Sequence, residues 1–348
     1  MIRAGELTLN GRLPDAPGAL AAHVGAVYGA HDMAESLPGG GILVTVATGA
    51  ISFLPAEAGM EVRIIAVSEA DLFVLREAVS SLVEAFDAGL SVIWDRPLVG
   101  GAYPPNFRIA QVVAKSRPGA GFLRIRLTAA HLGPFAVNGL HLRLLLPPEG
   151  RGVVWPSVSD QGRTVWPAGE DALHNPVYTI RSIDPVAGWM DLDIYLHGRG
   201  RTCHWAEEVA PGAIVGIVGP GGGDMLRAGH MVLAGDETAL PAIARILEAA
   251  PQDAKGEAMI LVSGLEHQQE IAIPPGICLR WLHRGKGETL EAALRDIAMP
   301  AADAAGGRHL WIATERTEAT RLRAEYRERG SWGRGEVTVA AYWTDTDV

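Results

Sequence analysis

Cysteine is nearly absent. Cys203 and Cys278 are the only two in 348 residues, too few and too isolated for a disulfide scaffold or a four-cysteine zinc or iron–sulfur site. Lysine is scarce too, at Lys115, Lys255 and Lys286; genome composition explains this arginine bias better than planar anion recognition does. Positive charge is outweighed, with 30 Lys and Arg against 40 Asp and Glu and a net charge of −10, the wrong balance for a nucleic-acid footprint. No stretch approaches 18 apolar residues without Gly, Pro or charge, and the opening MIRAGELTLNGRLPDAPG has no apolar leader segment. The expectation is a cytoplasmic protein with no membrane span. What is present is enough hydrophobic sequence, 48%, to build the two or three domains that this length suggests.

Residues 41–67 contain three short β-rich runs, GILVTVATGA, ISFLPAEAG and MEVRIIAV, separated by Gly-containing turns, as in an antiparallel meander. Ser68 and Asp71 then form a near capping box ahead of Leu72, Leu75, Val79, Leu82, Val83 and Phe86 at helical spacing. Residues 1–98 therefore read as a small α+β domain without a catalytic constellation, since His23 and His31 lack partners at ligand or base spacing. Tyr103–Pro104–Pro105 reads as a linker. Six short alternating runs follow (107–115, 121–129, 140–147, 177–184, 190–197 and 213–220), with one helical interruption near 203–209, and predict an antiparallel Greek-key β-barrel over 102–225. From 228 to 348 strands and amphipathic helices alternate, predicting a doubly wound parallel sheet. The fold class is thus multidomain α+β and α/β. A barrel followed by such a sheet is the layout of flavoprotein reductases.

Three segments in this order carry a resemblance: VYTIRSID at 177–184, DLDIYLHGRGRTCHWAEEVAPGAIVGIVGPGG at 191–222 and VLAGDETALPAIARILEA at 232–249, supported by WLHRG at 281–285 and AAYW at 340–343. Together they resemble the siderophore-interacting proteins, a ferredoxin-reductase-like branch of flavoproteins. The resemblance covers about 100–348; residues 1–98 look like a small domain of uncharacterised role that precedes the flavin domain in some members. It implies a cytoplasmic, FAD-dependent oxidoreductase that takes electrons from NADPH or NADH and reduces a ferric siderophore, releasing Fe(II). The redox chemistry would be the cofactor's; no protein nucleophile, general base or resident metal is implied.

Residue by residue, the resemblance and local physics point the same way. Tyr178, Thr179, Ile180 and Arg181 lie on a barrel strand, where an aromatic face and polar groups can meet an isoalloxazine and its side chain; a plain strand with Tyr178 in the core is the alternative reading. His197, Gly198, Gly200, Thr202, Cys203 and Trp205 belong to a glycine loop opening a helix, a place for FAD pyrophosphate, although a bare glycine loop is often only a surface turn. Gly235, Asp236, Glu237 and Thr238 end a strand where the nicotinamide would border the flavin, with Asp236 or Thr238 placed to cap the next helix. Arg284, Arg316, Arg334, Tyr342 and Trp343 are the expected substrate or NADPH contacts, each arginine having a solvated or paired alternative, as Arg321 has with Glu325.

Five residues at three places depart from the family pattern. Pro176 stands where an arginine is usual, Thr202 and Cys203 replace the loop's Ala and Ser, and Thr344 and Asp345 follow Trp343 in place of arginines. Weaker FAD retention is expected from the first two, and a less basic substrate pocket from the third. Two rival readings follow: a general flavin or ferric-chelate reductase, and a non-redox siderophore shuttle.

Overall fold

The computed structural model describes residues 6–29, 33–137, 139–222, 226–295, 297, 304, 306–329, 332–333 and 335–345; His31 and Arg334 lie outside them. The chain divides into two units, one of residues 1–109, 143–175 and 215–223, the other of 110–142, 176–214 and 224–348.

The first unit opens with β1 (Leu7–Pro14), α1 (Ala19–Gly29), β2 (Ala34–Leu37), β3 (Gly41–Val46), β4 (Gly49–Ala56), β5 (Gly59–Ala66), α2 (Glu69–Phe86) and β6 (Ile93–Trp94). The meander expected at 41–67 is there as β3–β5. The sheet is larger, with order β2-β3-β4-β5-β1-β6, because LTLNGRLP pairs antiparallel with β5, from Leu7 opposite Ala66 to Pro14 opposite Gly59. Alternation in β1 and β5 puts Leu9, Leu13, Val62 and Ile64 under α1 and α2 in one core. Ser68 caps α2 as expected, its Oγ accepting from the Asp71 amide at 3.1 Å and donating to the Asp71 carboxylate at 2.5 Å.

The barrel strands are β7 (Phe107–Ser116), β8 (Phe122–Thr128), β9 (His141–Leu145), β12 (Val177–Asp184), β13 (Trp189–Tyr195) and β14 (Ile214–Gly221), closed in the order β12-β13-β8-β7-β14-β9. Helix α3 (Gly133–Val137) precedes β9, and α4 (Arg201–Glu208) precedes β14. Only the second was expected; five residues are too few to show a helical period. Between β9 and β12 a small hairpin, β10 (Ser157–Val158) and β11 (Thr164–Val165), belongs to the first unit, where the Thr164 amide donates to Glu77 and Arg163 meets Glu84 on α2. On the wall, Arg124 and Arg126 of β8 lie opposite Asp193 and Asp191 of β13, each a two-bond pair at 2.7–2.8 Å.

The last layer is a parallel sheet of β15 (His230–Asp236), β16 (Lys255–Val262), β17 (Gly276–His283), β18 (Arg308–Glu315) and β19 (Val337–Trp343), with α5 (Leu240–Ala249), α6 (Leu290–Arg295) and α7 (Arg316–Arg329). Its order is β17-β16-β15-β18-β19. Strands buried on both faces read as continuous apolar runs. Met231 and Leu233 pack toward α5 while Val232 and Ala234 pack toward α6 and α7, so helices cover both faces. The order progresses one way from β15 to β17 and the other way from β15 to β19, which makes the carboxyl ends of β15 and β18 the switch point where such sheets receive nucleotides.

Candidate functional site

On the barrel side, β12 ends its exposed run at Val177 and buries Thr179, Ile180 and Arg181, leaving Tyr178 half-buried. The Tyr178 hydroxyl hydrogen-bonds to Thr202 at the start of α4, and burial pushes the phenol up to about 12, so it is an O–H at neutral pH. Strand β12 and the helix start are thereby tied to each other. The loop between β13 and α4 needs its glycines: Gly198 and Gly200 have φ of 76° and 84°, a backbone region costly for other residues. Gly200 is the N-cap of α4, with no side-chain cap and no acid in the first turn. A helix start of this kind presents amides to an anion, and Arg199, Arg201 and His197 are exposed around it. Cys203 is buried, its thiol pushed up by burial and its Sγ 3.4 Å from the Tyr195 carbonyl. The side chain is therefore committed to the strand, and the helix backbone is what this position presents outward. Trp205, half-buried, follows one turn later.

Arg181 differs from its expected role. Its guanidinium makes bonds of 2.7 and 2.6 Å to both carboxylate oxygens of Glu248 on α5, with Asp193 at 3.9 Å, and the residue is 8% exposed. A charge so engaged is neutralised by protein rather than held out to a phosphate.

On the sheet side, Asp236 and Thr238 do not cap α5. The N-cap is Ala239, with Pro in the first turn, because the Asp236 carboxylate folds back to accept from the Thr238 amide at 2.9 Å and hydroxyl at 2.6 Å. Asp236 also accepts from the Trp343 indole at 2.7 Å. Burial pushes this carboxyl up while those hydrogen bonds oppose the shift. Gly235 is required by packing: a Cβ there would lie 2.4 Å from Ala239 Cβ and 2.7 Å from the Ala313 carbonyl. Glu237, 2% exposed, accepts from Arg284 at 2.6 Å and from Ser263 at 2.9 Å. Arg284 is thus paired, and its expected availability for a nucleotide phosphate is reduced for the same reason as Arg181's.

Among the remaining expected contacts, Arg316 is exposed and donates to Thr344 at 2.9 Å, and Trp343 is 39% exposed. Tyr342 faces inward. Its hydroxyl meets His141 Nε2 at 2.6 Å and its ring stands edge-on to Trp311. Burial holds His141 down at about 4, with Arg245 adding to the effect, and raises the Tyr342 phenol; the tyrosine is accordingly the donor. Arg321 pairs with Glu291 of α6.

Sequence reasoning missed Tyr195, Ser263, Glu248 and Arg245. Arg245 of α5 donates to the carbonyls of Phe135, Gly139 and Leu140, satisfying the end of α3. These partners lie 26 to 110 residues apart in sequence, beyond any local spacing signal. Among the described residues no group of three or more His, Cys, Asp or Glu could hold a metal ion, and no helix is long and apolar enough to cross a membrane.

The comparisons agree with this architecture. The profile of the siderophore-interacting FAD-binding domain matches residues 111–224, and that of the siderophore-interacting protein matches 228–346. A siderophore utilization protein from T. fusca superposes with a TM-score of 0.61 at 30% identity, over 71% of this chain and 96% of that one. The ferric vibriobactin reductase ViuB of Vibrio cholerae is 28% identical over 247 residues, 68% of this chain and 89% of that protein. The NADPH-dependent ferric-chelate reductase of Escherichia coli is 28% identical over 248 residues, covering 68% and 93%. With two adjacent profiles spanning its barrel and its parallel sheet, and a solved relative at 30% identity nearly covered end to end, the chain belongs to the siderophore-interacting protein family.

Proposed function

We propose that this protein is an FAD-dependent reductase of ferric siderophores using NADH or NADPH. The observation that carries the reading is the uncapped start of α4 behind Gly198 and Gly200, joined through Thr202 to Tyr178 on the barrel wall. The residues present fit FAD: backbone amides of Arg201, Thr202 and Cys203 for the pyrophosphate, with Trp205 beside the adenosine end, and Tyr178 with Thr179 along the isoalloxazine, while Ile180, wholly buried with its N–H on the Leu140 carbonyl, packs behind them. When bound, FAD supplies two-electron acceptance from a nicotinamide and one-electron donation to iron.

The chain's own residues bind and orient. The Tyr178 hydroxyl, kept protonated, fixes the helix start against the strand. Gly235, Asp236, Glu237 and Thr238 border the nicotinamide, with the charge of Glu237 met by Arg284 and the Asp236 carboxylate held by Thr238 and Trp343. Trp343, held by Asp236, offers an aromatic face at the same edge. The ferric chelate is the substrate, and iron leaves because oxygen donors hold Fe(II) less tightly than Fe(III). The location that suits this reading is the cytoplasm.

A second reading, a ferric-chelate reductase of broad acceptor range, is favoured by the pairing of Arg284 with Glu237 and by Thr344 and Asp345 after Trp343. Purified protein should carry or take up FAD, and anaerobic assay should show NAD(P)H-dependent reduction of ferric siderophores. Protein that cannot be loaded with FAD would sink both readings. Equal rates on all ferric chelates would favour the second.

A further inference from the structure

At the ends of β13, β15, β16 and β17 a continuous line of contacts joins four side chains from separate parts of the chain. Tyr195 closes β13, two residues before His197. Its ring is fixed on the barrel by Phe122, with centroids 5.3 Å apart, and it touches the place where a Cβ on Gly121 would stand. Its hydroxyl hydrogen-bonds to Ser263, just past β16. Ser263 Oγ is 2.9 Å from Glu237 Oε1 and donates to it, because a carboxylate only accepts. A hydroxyl has a single proton, so Tyr195 is the donor to Ser263. Glu237 then passes the constraint to Arg284 at 2.6 Å, just past β17. Glu237 is almost wholly buried, and a buried carboxylate whose partners are removed is expensive; the line is therefore held at both ends.

We propose that Tyr195 is a positioning residue, acting through Ser263 to hold Glu237 and its ion pair with Arg284 at the nicotinamide edge in register with the strand that feeds the FAD loop. The inference rests on the reductase reading and deepens it. The strand end carrying Tyr195 leads directly into His197, Gly198 and Gly200. The residues at the other end of the line are those that border the nicotinamide. Hydride transfer depends steeply on the spacing of donor and acceptor, with misplacement by an ångström able to cost on the order of 100-fold. A group that ties the two binding segments together therefore acts on rate without touching either reactant.

The test uses FAD-loaded wild type, Tyr195→Phe, Ser263→Ala and the double variant, with three readouts. The first is flavin bleaching on rapid anaerobic mixing with saturating NADH or NADPH, the second is photoreduction of the same flavin, and the third is amide hydrogen exchange in FAD-free protein. Tyr195→Phe keeps the ring and its packing. It should bleach about 10-fold more slowly, a loss short of the full misplacement penalty, while FAD content and photoreduction stay at the wild-type level. Exchange should quicken at residues 263–266 and 282–286 and remain unchanged in β15. The double variant should be no slower than the slower single one, since both break one line.

Bleaching of Tyr195→Phe within twofold of wild type, or unchanged exchange at 263–266, would overturn the role, and so would multiplying effects in the double variant. The reductase reading is judged separately, by whether wild type bleaches at all. If it does not, that reading fails and this role falls with it. If it does and Tyr195→Phe bleaches equally fast, only the positioning role fails.

Discussion

The indole N–H of Trp343 donates to the buried carboxylate of Asp236 at 2.7 Å, joining the end of β19 to the end of β15 over 107 residues of sequence. Asp236 meets three donors, the Thr238 amide and hydroxyl on Oδ1 and the indole on Oδ2, while the nearby Thr314 hydroxyl gives its one proton to Glu318 at 2.6 Å. Asp236→Asn supplies one acceptor oxygen and turns an amide N–H₂ toward groups that are themselves donors. Leaving buried donors unmatched costs about 1–3 kcal/mol, so the urea midpoint should fall accordingly. The emission change attributable to Trp343, defined against Trp343→Phe, should disappear. An unchanged midpoint would mean that the carboxylate is not what holds this edge.

His141 makes stability depend on pH with a definite sign. Its folded value of about 4 lies below the ordinary 6.5. Between those values the unfolded chain takes up a proton that the folded chain refuses, so the stabilisation is complete above about 6.5, declines as pH falls and stops declining below about 4. From pH 7 to pH 5 the loss amounts to roughly 2 kcal/mol at 1.36 kcal/mol per pH unit. Removing both partners together, as His141→Leu with Tyr342→Phe, avoids stranding the tyrosine hydroxyl. Urea unfolding at pH 7 and pH 5 should show wild type losing about 2 kcal/mol more than the double variant. Parallel losses would refute the assignment.

Arg181 and Glu248 tie β12 to α5, and removing one partner leaves the other uncompensated. Arg181→Ala should cost about 3 kcal/mol, at the low end for breaking a buried pair because Glu248 is about a third exposed. Arg181→Met combined with Glu248→Leu should recover most of that loss, and thermal unfolding would register both. A double variant no better than Arg181→Ala would show that the arginine's value lies elsewhere, for instance toward Asp193.

What was legible in the sequence had a local period. VYTIRSID gives β12 over the expected 177–184, and Ser68 with Asp71 begins α2 where the capping pattern places it. The alternation of apolar strands and helices after residue 228 gives the parallel sheet. LTLNGRLP and Ile93–Trp94 were missed as strands because their pairing depends on partners far along the chain. The α5 start was misread for a different reason: an Asp and a Thr before a helix look like caps until Asp236 turns back onto Thr238. Residue type says nothing of an arginine's availability: Arg181, Arg284 and Arg321 are engaged by Glu248, Glu237 and Glu291, which no spacing announces.

The β10–β11 hairpin offers a test of the first unit's organisation. Arg163 reaches Glu84 at 3.3 Å and Ser81 at 3.0 Å, the Thr164 amide donates to Glu77 at 2.7 Å, and Gly162 lies so close to Arg76 that a Cβ would stand 2.4 Å from its guanidinium. All of these partners sit on α2. The exposed Arg163–Glu84 pair is worth little by itself; the amide bond to Glu77 and the close seating on Arg76 hold the β11 side down, while Val158 of β10 exchanges backbone bonds of 2.7 and 2.8 Å with Gly101 and Ala102. Glu77→Ala should therefore loosen it more than Glu84→Ala does. Limited trypsin digestion reads this directly, because cleavage after Arg163 requires the hairpin to open locally. Cleavage there should be slow in wild type, little changed in Glu84→Ala, several-fold faster in Glu77→Ala and fastest in a chain beginning at Val99, which lacks α2 but keeps Gly101 and Ala102 against Val158. Cleavage equally slow in the truncated chain would show that the hairpin is held by its own barrel connections rather than by α2.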